Sequence, residues 1–225
     1  MAPARRRLLV AGLAGAALAA APRWAFAGPP ISLPSEAANR RFSIFYDGYR
    51  IGAHTISNTP ENGETRVSTE IDLLVKALVF TLYEFRHRSQ EIWRDGRLLS
   101  LQSETKEHGK SVSVAGAAVA QGFRVVGESG PFLASADALT SNSLWTPAVL
   151  EQRTVIDAQH GGVIGVRVRK LADETLTIAG GQIRATRHRF ISPYLAGSIW
   201  YDERGHWVKG EFERDGARVE YRLDA

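Results

Sequence analysis

Apolar and polar residues alternate along most of this chain, in short segments separated by glycine-containing turns. Near the start of the pattern, Phe42, Ile44 and Tyr46 occupy alternate positions, and Asp47-Gly48 follows as a typical hairpin turn. A period of two residues indicates a half-buried β-strand. The pattern predicts strands at residues 41–46, 49–55, 64–74, 79–94, 98–106, 110–119, 123–126, 153–157, 163–171, 174–178, 182–191, 198–202, 207–214 and 218–223.

The alternation also predicts which side of each strand is buried. In the last strand, Val219, Tyr221 and Leu223 face one way and charged residues face the other, so one sheet face is apolar and one is solvated. No helical pattern is long enough to cover a flat sheet, so the sheet must curl to bury its apolar face. We expect an all-β fold, an antiparallel meander curled into a barrel or a half-open barrel that residues 127–152 close. A two-sheet sandwich is the alternative.

The segment between the two groups of strands has a different pattern. Residues 127–145 show no period and are expected to be irregular. Thr146 and Pro147 predict one short helix near residues 146–152, with Thr146 as the N-cap and Pro147 at the first helical position.

The first residues have the features of an export signal. Three arginines, Arg5 to Arg7, precede an uncharged apolar run, and Ala25-Phe26-Ala27 is a small-residue cleavage site. The apolar run is too short for a bilayer span, so no stable membrane anchor is expected after cleavage. The arginine pair also resembles a twin-arginine signal, and the general secretory route is the alternative. We therefore predict a signal peptide at 1–27, an extended leader at 28–40 and a single β domain at 41–225 in the periplasm or medium.

Removal of that signal changes the charge of the protein. The full chain has 28 Lys and Arg against 24 Asp and Glu, but residues 1–27 hold four Arg and no acid. Residues 28–225 are therefore formally neutral, which argues against a nucleic-acid partner. The chain has no cysteine, so disulfides, thiolate metal sites and cysteine nucleophiles are excluded.

The strand predicted at 79–94 carries the densest group of chemically active side chains. One face carries aromatic and titratable residues: Tyr83, Phe85, His87, Glu91 and Trp93. The other face carries a mixed-charge ladder that is expected in solvent: Glu84, Arg86 and Arg88. His87 and Glu91 lie about 13 Å apart along such a strand and cannot bond to each other. The first face is either part of an ordinary sheet wall or the lining of a semi-polar cavity, with His87 as its titrating group.

Two tryptophans complete the set of candidate ligand-binding residues. Trp145 and Trp200 lie near the irregular segment and the last hairpin, where core packing and pocket lining are both reasonable roles. The candidates, all for ligand binding and none for catalysis, are Tyr83, Phe85, His87, Trp93, Trp145 and Trp200.

Motifs for cofactors, metals or known catalytic sites are not found in the sequence. The six histidines form no metal-ligand spacing, and Gly127-Glu128-Ser129-Gly130 lacks the spacing and context of a nucleophile elbow. Gly161-Gly162 and Gly180-Gly181 have no following Lys-Ser/Thr and are interpreted as turns. No cofactor and no metal are therefore expected.

Three segments together resemble a family of exported bacterial β-proteins that is known only as a domain of unknown function. The segments are IFYDGYRIGAHTIS (44–57), SLWTPAVLEQRTVIDAQHGGV (143–163) and IWYDERGHWVKGEFERDGARVEYRL (199–223). The resemblance extends from about Phe42 to Leu223. It implies a secreted β-rich protein and supplies no catalytic residues.

Three functions fit these observations. The first is a non-enzymatic periplasmic protein that binds a lipid-like or small hydrophobic ligand inside a curled sheet. The second is an envelope-acting hydrolase. It requires that at least two of five side chains meet in one cleft: His54, His87, Glu91, His188 and Asp202. The third is a structural or interaction module. The sequence does not fix the oligomeric state.

Overall fold

The computed structural model describes residues 39–77, 80–214 and 216–224. Short turns join most neighbouring strands, as the glycine-rich sequence predicts. In chain order the strands are β1 Arg40–Tyr46, β2 Tyr49–Glu61, β3 Glu64–Ala77, β4 Phe80–Arg94, β5 Arg97–Glu107, β6 Lys110–Val119, β7 Gly122–Gly127, β8 Gly130–Ala134, β9 Thr154–Ile156, β10 Val163–Gly165, β11 Arg167–Ile178, β12 Gly181–Ile191, β13 Ala196–Asp202, β14 Trp207–Arg214 and β15 Ala217–Leu223.

Within the described residues, thirteen strands form one antiparallel sheet. Its order is β11-β12-β13-β14-β15-β1-β2-β3-β4-β5-β6-β7-β8, so the first and last strands of the chain pair in its middle. No ladder joins β8 to β11 in the described part of the chain, and the curled sheet stays open as a half-open barrel. The all-β meander predicted from the alternation is confirmed.

The two sheet edges are protected in different ways. Pro131 lies in β8, where its missing N–H does not interrupt an interior ladder. Arg167, Arg169 and Lys170 place positive charge along β11, and charge on an edge strand discourages pairing with another chain.

Two local predictions for the strands were wrong. Residues 130–134 lie in a strand, β8, although the segment 127–145 was predicted to be irregular. Its five residues around a proline are too short to show a period. Residues 167–178 form one strand, although the sequence predicted that one strand ends at residue 171 and another begins at residue 174. A register irregularity between Lys170 and Asp173 interrupts the alternation without ending the ladder.

The predicted short helix is present as a 3-10 helix at Pro147–Glu151. Thr146 is its N-cap, its hydroxyl accepts a hydrogen bond from the Ala148 N–H at 3.3 Å, and Pro147 is its first residue. A further 3-10 turn, Ser143–Trp145, comes just before it.

Residues 135–166, called the insert segment below, pack against the concave face of the sheet. The Tyr201 hydroxyl donates to the Leu144 carbonyl at 2.7 Å, and the Ser103 hydroxyl donates to the Ala158 carbonyl at 2.5 Å. Strands β9 and β10 pair with each other inside this segment. Because β5 and β13 both bond to it, the insert segment connects distant parts of the sheet across the concave side.

The predicted amino-terminal features lie almost wholly outside the described residues. The signal peptide at 1–27 and the leader up to residue 38 cannot be compared with the structure, and residue 40 already belongs to β1. In the described ranges, no helix combines the length and hydropathy needed to cross a bilayer.

Gly52 lies where neighbouring strands leave no room for a side chain. A Cβ atom there would lie 1.9 Å from the Asp72 carbonyl oxygen, whereas one on Gly165 would have no neighbour within 4 Å. We expect Gly52→Ala to lower the free energy of unfolding by about 1–3 kcal/mol or more, because the backbone of β3 must move. Gly165→Ala is the matched control and should change it by less than about 0.5 kcal/mol. Urea unfolding of both variants measures this, and equal effects would contradict the close approach.

Candidate functional site

The strands around β4 place their inward side chains in rows that cross the sheet. Ile71 lies between His54 and His87 in register, and His87 is opposite Thr105. One step towards the β3–β4 turn, Leu73 is opposite Phe85. Each step of two residues along a strand is about 7 Å, so the rows form successive levels of the concave side.

His87 is fully buried and hydrogen-bonded on both ring nitrogens. The Asn142 amide nitrogen donates to its Nε2 at 3.0 Å, so the ring proton lies on Nδ1 and is donated to the Thr105 hydroxyl at 2.8 Å. A proton on Nε2 would face the Asn142 donor. Burial lowers the pKa of His87 to about 4, although the negative charge of Asp157 opposes this. His87 is therefore a neutral structural link between β4 and the insert segment.

Glu91 forms a second buried connection four residues along β4. Its carboxyl accepts hydrogen bonds from the Thr140 hydroxyl at 2.5 Å and from the Trp93 indole at 2.9 Å. Burial nevertheless raises the pKa of Glu91 to about 7, because these two bonds only partly offset the loss of solvation. Near neutral pH this carboxyl is divided between its charged and protonated forms.

A cavity of about 210 Å³ lies between the insert segment and the concave face. Its wall is mainly apolar, and it draws side chains from β3, β4, β12 and β14 as well as from the insert segment. Apolar residues of the wall include Ile71, Leu73, Phe85, Val149, Phe190 and Phe212. Tyr194, which is 63% exposed, also lines the cavity, so the cavity reaches solvent on that side.

A polar rim lies at the solvent side of this cavity. The Tyr83 hydroxyl donates to the Glu107 carboxylate at 2.9 Å, and Arg214 also interacts with Tyr83. Burial, and then the bond to Glu107, raise the pKa of Tyr83 well above its usual value. Tyr83 thus remains a neutral hydrogen-bonding group, and the rim contains one cation and one carboxylate.

His54 lies at the opposite, inner end of the cavity. Its side chain is almost fully buried among the rings of Phe42, Trp207 and Tyr221, at centroid distances of 6.3, 5.5 and 6.0 Å. Neither ring nitrogen has a hydrogen-bond partner. Burial lowers the pKa of His54 to about 3, with a smaller contribution from His87. An unpaired buried polar group of this kind is costly for folding.

The structure separates the six predicted ligand-binding residues. Tyr83 and Phe85 line the cavity. His87 lies one level deeper and bonds to the cavity-lining Asn142. Trp93 and Trp145 pack edge-to-face in the main core, with ring centroids 5.4 Å apart. Ligand binding by any of the six residues stays a prediction.

The sixth predicted residue, Trp200, belongs to a small second core away from the main one. It packs with Ala185 and Val208, and its indole donates to Glu174 at 2.9 Å. The Lys209 ammonium lies 4.7 Å from its ring centroid. Trp200 is not among the residues that line the cavity.

The five residues proposed for a hydrolase do not bond to one another in the described part of the chain. His87 and Glu91 each bond to other partners, and Asp202 bonds to His206 at 3.1 Å. One other His–Asp pair, His160 and Asp157 at 3.3 Å, does line the cavity. Asp157 also accepts from two backbone N–H groups of its own turn, so this pair is accounted for as turn geometry.

Sequence reasoning missed the residues of the insert segment that bond to β4. Thr140 and Asn142 lie in the stretch predicted to be irregular, and no local pattern marks them. His54 was considered only as a distant catalytic partner. Of these contacts, the Glu91–Trp93 hydrogen bond is the one that the sequence could indicate, because residues two apart on a strand share a face.

The fold and cavity define a half-open β-barrel-like protein with an internal, mainly apolar cavity. The chain belongs to the family described as Domain of unknown function (DUF6134), whose model matches residues 42–224. The resemblance inferred from the three sequence segments is thereby confirmed.

A solved structure supports the same architecture. The chain is similar to a crystal structure of a beta-barrel-like protein of Domain of Unknown Function DUF1849 from Brucella abortus, with a TM-score of 0.58 and 9% identity. The match covers 83% of this chain and 94% of that one, and at this identity it shows the fold alone. No curated protein sequence matches the chain.

Proposed function

We propose that this protein is an exported, non-enzymatic binding protein that holds a small apolar or amphipathic molecule between its sheet and the insert segment. The observation that carries the proposal is the cavity of about 210 Å³ with its mainly apolar wall. Concave apolar sites with a few polar groups are typical of small-molecule binding. An apolar cavity of about 150 Å³ in another protein accommodates benzene, so this volume suits one small ligand or one end of an acyl chain.

The export part of the proposal rests on the charged, apolar and small-residue regions of residues 1–27. Intact-mass measurement of the protein from a periplasmic fraction tests it. We expect a mature chain that begins at Gly28. A cytoplasmic protein that retains residues 1–27 would contradict export and leave the cavity argument unaffected.

Two neighbouring leucines provide a matched test of the cavity. Leu73 lines it, whereas Leu74, the next residue of β3, is 44% exposed. We expect Leu73→Trp to fill the cavity and weaken binding of the apolar dye N-phenylnaphthylamine by about tenfold or more, because the wall must be displaced for the dye to enter. Leu74→Trp should change the affinity by less than about twofold.

The measurement is dye fluorescence titrated with wild-type protein and both variants, with circular dichroism to check that each is folded. Equal affinities in all three folded proteins would contradict binding in this cavity. Native mass spectrometry of the periplasmic protein, followed by extraction, identifies any molecule carried along.

A further inference from the structure

The strongest unexplained feature of the cavity is the imidazole of His54. A buried side chain normally has its polar atoms paired, and His87, in the same row of the sheet, has both nitrogens bonded. His54 has neither bonded, although it is only 3% exposed. A phenylalanine would suit its aromatic neighbours without that cost. The histidine therefore requires an explanation beyond packing.

The position of His54 in the cavity supplies one. His54 is a lining residue on the row of Ile71, one row deeper than Leu73 and Phe85. The polar rim at Tyr83 lies one row further out than Leu73 and Phe85, towards solvent. Between rim and His54 the wall is mainly apolar. A molecule that enters past the rim thus places its far end beside His54. Both ring nitrogens of His54 are unpaired and closed to a water-sized molecule, so the ring must turn for the molecule to bond to one of them.

We infer that the cavity takes a neutral amphipathic molecule, an apolar chain ending in a hydroxyl or similar donor–acceptor group, and that this group hydrogen-bonds to His54. The inference rests on the proposed binding function and names its ligand class. A neutral imidazole offers one donor and one acceptor, which a hydroxyl matches with its own acceptor and donor. The aromatic ring neighbours Phe42, Trp207 and Tyr221 offer no countercharge for an anion at this end.

The low pKa of His54 supports the same class. Burial keeps the ring uncharged at neutral pH, so it does not present a cation to a carboxylate. Arg214 lines the cavity as well; it interacts with Tyr83 at the rim, and its charge also acts on Tyr221, which lies on the row of Leu73 rather than on that of His54. An acid bound through Arg214 would have its chain pointing inwards and would leave His54 unpaired.

Three probes with the same chain length distinguish these arrangements: n-octanol, octane and octanoate. Each is used to displace N-phenylnaphthylamine from wild-type protein and from His54→Phe. We expect His54→Phe to weaken n-octanol binding by about tenfold, the effect of losing a hydrogen bond to an otherwise unpaired group. Octane binding should change by less than about twofold, because the phenyl ring that replaces the imidazole keeps this end of the cavity apolar.

A stability measurement completes the test. Because His54→Phe removes two unpaired nitrogens, we expect the unliganded variant to be at least as stable as the wild-type protein in urea at about pH 7.5. Equal weakening of n-octanol and octane would show a packing role for His54 and overturn the inference. Octanoate binding more tightly than n-octanol, unaffected by the substitution, would place the polar group at the rim and also overturn it.

Failure of the inference and failure of the proposed function give different results. If octane and n-octanol both displace the dye from wild-type protein but the histidine makes no difference, apolar binding stands and the hydroxyl preference is wrong. If none of the three probes displaces the dye and the dye itself does not bind, the binding function is wrong and the ligand class falls with it.

Discussion

Acidification should destabilise the wild-type protein more than its His54→Phe variant, by about 3 kcal/mol between pH 7 and pH 4. Burial lowers the pKa of His54 from 6.5 to about 3 in the folded protein. Below pH 6.5 the unfolded chain takes up a proton that the folded chain does not, so the stabilisation present above that pH is lost as the pH falls towards 3. The effect is large because the ring is almost fully buried.

Urea unfolding at several pH values measures this difference. His108→Asn, at an exposed turn with φ of 47°, is the control for removing a histidine, since Asn tolerates that backbone conformation. An identical pH dependence in wild-type protein and His54→Phe would mean that the ring titrates in the folded state and is not desolvated as the structure indicates.

Glu91→Gln should have the opposite pH dependence. The free energy of unfolding of the variant minus that of wild type should be about 2–3 kcal/mol larger at pH 8 than at pH 5. Burial raises the pKa of Glu91 from 4.5 to about 7. A raised pKa means that the folded protein holds a proton that the unfolded chain has lost. The stabilisation is complete below pH 4.5 and is lost as the pH rises through 7.

Glutamine imitates the protonated carboxyl in this network. Its oxygen can accept from the Trp93 indole, and its amide can donate to the Thr140 hydroxyl, which in turn lies 3.2 Å from Ser143. Glu104→Gln, on the exposed side of β5, removes a carboxyl from the same sheet and is the matched control. A difference between Glu91→Gln and wild type that stays constant from pH 5 to pH 8 would contradict a raised pKa at Glu91.

The buried histidines and the buried glutamate have opposite effects on the pH dependence of stability in the wild-type protein. His54 makes stability rise with pH from about 3 to 6.5 and His87 from about 4 to 6.5, whereas Glu91 makes it fall from 4.5 to about 7. Where the ranges overlap, the wild-type pH profile is therefore flatter than the two histidines alone would make it. Only differences between variants and wild type separate the terms, which is why both experiments are designed as pairs.

The sheet was predictable from the sequence because its signal is local. Alternation identified most strands and the wet face of β4, and Thr146-Pro147 located the helix start. Strand β8 was missed because five residues with a proline hold too few alternations. Nothing local distinguishes a short edge strand of this kind from a loop.

The site was less predictable because it depends on contacts between distant segments. Thr140 reaches Glu91 across 49 residues and Asn142 reaches His87 across 55. The alignment of His54 with Ile71 and His87 follows from the registers of two ladders, which no single strand encodes. Trp200 shows the same limit. Adjacent strand residues point to opposite faces, so Trp200 and Tyr201 join different cores, and the residues that cover each face come from distant strands.

Because β8 and β11 do not pair, the number of strands does not fix the width of the interior. In a closed barrel, strand number and stagger set the diameter, whereas here residues 135–166 occupy part of the space inside the curled sheet and leave the cavity. Substitutions in that stretch can enlarge or reduce the chamber while every ladder of the sheet keeps its register. Under the proposed binding function, the size of ligand that the cavity accepts would then be set by this one segment.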